Sequence, residues 1–178
     1  QSGDGPRQEE MKRFYKDVTV VPDGDGFAVK LDARPLKPPS RAPLVLPSEA
    51  LAQAIAEEWR GQRAELDMAS MPLTRLAFAA VDSVAKQRAA TIEHLLGFGR
   101  SDLVSYRAEF PDALIARQAA SWDPLLAWLA EAHGAKLAVT SGIKHIGQSD
   151  EAMAALRRAL SSLDDYELAA LHTATTIT

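Results

Sequence analysis

The chain has 178 residues, 47% of them hydrophobic, enough for one ordinary domain or two small ones with a real core. A net charge of −4 excludes the basic excess that neutralises nucleic-acid phosphates. The absence of cysteine excludes disulfides, zinc–thiolate sites, iron–sulfur clusters and thiol nucleophiles together, and no run approaches the about 18 apolar residues of a membrane span.

Residues 1–12 open with "QSGDGPRQEE", polar and unpatterned, and read as a disordered arm or a cloning remnant. They lack the charged-then-apolar layout of a secretory signal, so the chain reads as intracellular. Residues 13–47 predict a small β domain. "RFYKDVTVV" and "FAVKLD" carry the β-branched and alternating residues of two strands. Between them "PDGDG" supplies the Asp-Gly steps of a hairpin turn. The prolines at 35, 38, 39, 43 and 47 then confine any further strand to short edge pieces near Leu36 and residues 44–46. Such a sheet is too thin to bury a core alone.

Residues 48–178 predict a helical domain. Ser48 is placed to cap a helix whose Leu51, Ala52, Ile55, Ala56 and Trp59 fall on one face. Pro72 suits the first turn of a second helix, with helical character resuming through Ile92, Leu95 and Leu96 until Gly97 and Gly99 end it. Ser101 and Asp102 are expected to cap a short helical turn over "DLVSYRAE". A helix starting at Pro111 or Asp112 meets Pro124, which lacks an amide donor and clashes with the carbonyl one turn back. Asp123 as cap and Pro124 as first-turn residue predict a joint there, with a new helix closed by Gly134. A strand-like stretch follows, then a helix capped by Ser149 and a last one opened by a capping box of Asp164 and Glu167. Strands first and helices afterwards give an α+β class, with a boundary near Pro47.

Candidate chemistry is sparse. His94, His133, His145 and His172 share no ligand spacing, so no metal site is expected. "DGDG" resembles the start of a calcium loop but lacks the later oxygen ligands and closing glutamate. No phosphate-cradling glycine loop or nucleophile elbow occurs. Glu58, Asp82, Asp102 and Asp123 are the carboxylates from which a hydrolase or lyase would draw an acid–base pair, although such groups are commonly caps. "PLKPPSRAP" reads either as a polyproline ligand of an interaction scaffold or as a stiff connector. The tryptophans at 59, 122 and 128 are expected in the core, and one lying outward would mark a partner surface.

Taken in order, "RFYKDVTV", "VKLDARPLKPPSRAPLVLPSEALAQAIAEEWRGQ", "MPLTRLAFAAVD", "SDLVSYRAE" and "RQAASWDPLLAW" resemble the F1 ATP synthase assembly chaperones that bind the α subunit, found in mitochondria and some bacteria. The resemblance spans residues 13–171. It implies an N-terminal β domain joined to a larger helical one, no enzymatic activity and no cofactor. It also implies a partner, the unassembled F1 α subunit, whose interface is shielded until β joins. A monomer in the bacterial cytoplasm, or in the mitochondrial matrix of a eukaryote, is expected. The matched residues expected to touch the partner are Glu58, Gln62, Arg107 and Gln118, together with the acidic turn Asp164, Asp165 and Glu167. Family members continue through more helices to an acidic stretch, so the resemblance implies a chain shortened at its C-terminus.

Overall fold

A computed structural model describes residues 11–176, and the expected arm at residues 1–10 lies outside them. The chain divides into two compact units, one ending at Lys86 and the other beginning at Gln87. The expected boundary at Pro47 therefore falls inside the first unit. Its physical cause is burial: a three-stranded sheet has one face to hide, and the helices that follow Pro47 are what hides it.

In the first unit, β1 (Val18–Asp23) and β2 (Gly26–Leu31) pair antiparallel through a turn at residues 24–25, where Gly24 takes φ +58°. A second short turn leads to β3 (Arg34–Pro35) on the other edge of β2. The chain returns to the sheet at Leu46, whose amide and carbonyl both pair with Phe27. Helix α1 (Glu49–Arg60) starts where Ser48 Oγ accepts the Leu51 amide, as the sequence predicts. Its buried Ala52, Ile55, Ala56 and Trp59 lie one helical turn apart and pack on β1 and β2. Pro72 opens α2 (Pro72–Ala79), again as predicted, and a single π turn at Ala80–Val84 follows.

Residues 11–16 correct the sequence reading. Met11 and Lys12, expected in a disordered arm, and Arg13, expected in a strand, run beside residues 64–66. The Arg13 amide donates to Ala64 and the Leu66 amide to Met11. Arg13 also donates to the Gln62 carbonyl at 2.7 Å and lies over the Tyr15 ring.

The second unit is built on α3 (Arg88–Arg100), which packs against α5 (Asp150–Ser162) and α6 (Asp165–Thr176). Ile92, Leu95 and Leu96 meet Ala152, Ala155, Leu168 and Ala169 in its core. Contrary to expectation, Gly97 and Gly99 lie inside α3. At Gly99 a Cβ would come within 2.8 Å of Leu156 Cδ1, the movable end of a leucine side chain. The glycine marks a close approach of α5 rather than a helix stop.

Two further corrections concern the middle of this unit. The stretch after Asp102 makes only one tight turn, Leu103–Ser105, before entering β4 (Tyr106–Arg107), which pairs in parallel with β5 (Thr140–Ser141). Helix α4 (Asp112–His133) runs unbroken through Pro124, so Asp123 caps nothing and no joint exists. Both Pro124 and Ala120, whose carbonyl loses its donor, are exposed, so water can replace the missing bond. Gly134 closes α4 at φ +70°, as expected.

Candidate functional site

Each residue expected to touch a partner is already engaged within its own unit. Glu58, at the end of α1, aims its carboxylate at the start of α2. One oxygen accepts the Leu73 amide at 2.7 Å, and the other accepts the Thr74 amide at 2.8 Å and its hydroxyl at 2.7 Å. Pro72 leaves those amides as the first free donors of α2, so a carboxylate there satisfies them and complements the positive helix end. Thr74 is fully buried and also receives the Trp59 indole N–H at 3.0 Å, while Tyr15 donates to the Trp59 carbonyl at 2.7 Å. Buried Gln62 accepts from the Asp67 amide and donates to the Glu58 carbonyl and Ser70 Oγ.

In the second unit, Arg107 and Gln118 come together. Buried Arg107 donates to the Gln118 carbonyl at 2.9 Å and to Asp123 at 2.7 Å, with its guanidinium 5.1 Å from the Trp122 ring centre. Gln118 Oε1 accepts the Ala108 amide at 2.8 Å. Together these contacts tie β4 to α4 just before Pro124. Asp164 and Glu167 form the reciprocal capping box their spacing predicts, each side chain accepting the other's amide at 2.8 Å. Asp165 pairs with Arg88 at 2.6 Å, and Arg88 reaches the Leu163 carbonyl as well.

The carboxylates weighed for acid–base chemistry are scattered among similar duties. Asp102 accepts the Val104 amide, Asp123 holds Arg107, and Glu58 caps α2. Asp82 accepts the Ser40 amide at 3.2 Å, and hydrogen bonding to the Ser40 hydroxyl first and its amide second holds the carboxyl below the usual range. Among the described residues no group of histidines and carboxylates could hold a metal ion, and no helix is long and apolar enough to cross a membrane.

Two largely apolar surfaces remain available to another molecule, and sequence patterning did not single them out. In the first unit, Met11, Phe14, Leu31, Leu36, Trp59, Leu66 and Phe78 line a cavity of about 810 Å³. Met11 and Phe14 at its edge are 58% and 56% exposed. The "RPLKPP" stretch forms part of its wall. Pro38 there is buried, which does not suit a protruding polyproline ligand. In the second unit no residue of α4 is fully buried. Trp128 is 58% exposed, as is Leu125 beside it, and Phe110 ahead of the helix is 79% exposed. Of the tryptophans only Trp59 lies in a core, so the outward Trp128 is the signal the sequence could only anticipate.

A sequence model of the family described as ATP12 chaperone protein matches residues 12–130. The chain belongs to the ATP12 chaperone family. That family consists of chaperones and not enzymes. The mitochondrial protein atp12 of Schizosaccharomyces pombe is 28% identical over 176 residues, covering 92% of this chain and 60% of that relative. Among solved structures, Atp12 of Paracoccus denitrificans is 43% identical, with a TM-score of 0.86 over 94% of this chain and 72% of that one. A point mutant of the same protein gives a TM-score of 0.87. The Agrobacterium tumefaciens protein Atu1473 is 42% identical, with a TM-score of 0.83 over 93% of this chain and 63% of that one. The α+β layout, strands first and helices after, is thus that of the ATP12 family.

Proposed function

We propose that this chain is an ATP synthase assembly chaperone that binds the unassembled F1 α subunit, shields its interface, and leaves when β joins. Membership of the ATP12 chaperone family over residues 12–130 carries this reading. The open apolar surfaces support it. A subunit awaiting assembly exposes interface more hydrophobic than ordinary surface and prone to aggregate, and apolar side chains held ready on a folded scaffold are what can cover it. The chain works as a monomer without turnover or cofactor, in the bacterial cytoplasm or, in a eukaryote, the mitochondrial matrix.

Co-expression with F1 α alone tests the reading. The expected result is a rise in soluble α that co-purifies with the chain. Unchanged α solubility beside a soluble, folded chain would overturn it, and equal capture of F1 β would remove the preference for α.

A further inference from the structure

We propose that the cavity of the first unit grips an extended apolar segment of the client, one that carries an acidic side chain beside the apolar run. This rests on the chaperone reading and adds which surface acts and what chemistry it selects. The cavity's about 810 Å³ falls in the range that encloses a short peptide or similar ligand. Its walls are largely aliphatic and aromatic, and Met11 and Phe14 stand more than half exposed at its edge.

Charge at the same site decides the polarity of the occupant. Arg34 and Lys37 are both exposed and both line the cavity. Asp32 near Arg34 is held below the usual carboxylate range chiefly by the Asp17 and Lys16 amides, with Arg34 adding a little, and neither the Arg34 nor the Lys37 side chain forms a hydrogen bond or ion pair with a described residue. The one acid among the described lining residues, Asp67, keeps its charge while accepting the Ala69 amide at 2.9 Å, so the two cations outnumber it. An apolar slot edged by a net excess of positive charge favours an apolar ligand with a carboxylate at one end.

The backbone indicates how the segment is held. Pro35, Pro38 and Pro39 line the slot and lack amide donors, which disfavours addition of a client strand to the β3 edge. Binding then depends on side-chain burial and charge rather than on a ladder of backbone bonds. Such contacts tolerate shifts in register, as temporary holding requires. The chain's own first ten residues, "QSGDGPRQEE", contain acids but, apart from Pro6, no aliphatic or aromatic side chain to fill the slot.

The test uses the whole chain and an end-blocked, fluorescein-labelled Glu-Leu-Val-Phe-Leu peptide, followed by anisotropy, with Lys-Leu-Val-Phe-Leu as its counterpart. The glutamate peptide should bind about tenfold more tightly than the lysine one. Paired Met11→Ser and Phe14→Ser substitutions, at exposed positions, should weaken binding about tenfold or more. Paired Arg34→Glu and Lys37→Glu should reverse the preference to the lysine peptide, a gain that unfolding cannot produce. No peptide binding, binding indifferent to these changes, or laurate binding in its place would overturn the proposal. So would a dimer that these variants convert to monomer. If the peptide results fail while the chain still raises soluble F1 α, only the groove is lost. If they hold while α is unaffected, the groove stands and the α-subunit reading falls.

Discussion

Replacing Glu58 probes the joint on which the first unit turns. Its carboxylate takes the Leu73 and Thr74 amides and the Thr74 hydroxyl, and Thr74 is fully buried. Glu58→Ala leaves two backbone donors without an acceptor, at about 1–3 kcal/mol each when buried. The space vacated by the side chain admits water, which brings the sum to about 3 kcal/mol. Glu58→Gln is the sharper test because it preserves shape. One oxygen becomes an NH₂ group facing an amide or hydroxyl donor, and the charge complementing the helix end disappears, a loss of about 2 kcal/mol. Urea unfolding read by Trp59 fluorescence, in a background carrying Trp122→Phe and Trp128→Phe, isolates the first unit. With a slope of about 1–2 kcal/mol per molar, the midpoint should fall by about 1–2 M for Glu58→Gln. An unchanged midpoint would show that the carboxylate holds nothing together and is free to serve a partner.

Other outcomes follow from the same geometry. Arg107→Lys keeps a charge but loses the planar fork reaching both Gln118 and Asp123, and should cost about 1–2 kcal/mol in urea titration. Because Asp123 is 63% exposed, Asp123→Asn should cost less than half of that, and an equal cost would contradict this account. Gly26→Ala should destabilise the first unit by about 2 kcal/mol, since a Cβ there strikes the Leu46 carbonyl, itself fixed by paired bonds to Phe27. A calorimetric scan matching the parent would dispose of that close approach. Burial, reinforced by the charges of Asp164 and Asp165, pushes the Tyr166 hydroxyl up to about 12. An unfolded tyrosine ionises near about 10, so this contribution is intact below about pH 10 and declines as pH rises toward 12. Tyr166→Phe should flatten the alkaline loss of stability, and an unaltered slope would place its origin elsewhere.

Local chemistry made much of the fold legible. Ser48, Pro72, Ser149 and the Asp164–Glu167 pair act within one helical turn, and each sits where its side chain predicts. The misread places were decided by neighbours distant in sequence. Gly99 stays helical inside α3, which packs against α5 and α6, and Pro124 is tolerated because its side of α4 faces solvent. Met11 and Lys12 are ordered by residues 64–66. The matched motif residues were recognisable, but their duties were not. Conspicuous polar residues such as Glu58, Gln62 and Arg107 are occupied in bracing the structure. The cavity draws on residues from Met11 to Phe78, so no single spacing announces it.

The way α4 is fastened bears on how the second unit opens. With every residue at least partly wetted, and polar ties from Arg107 and Ala108 securing it near Gln118, this helix can lift without emptying an interior. Its amide hydrogens should exchange with solvent well before those of α3, whose aliphatic row must leave the core first.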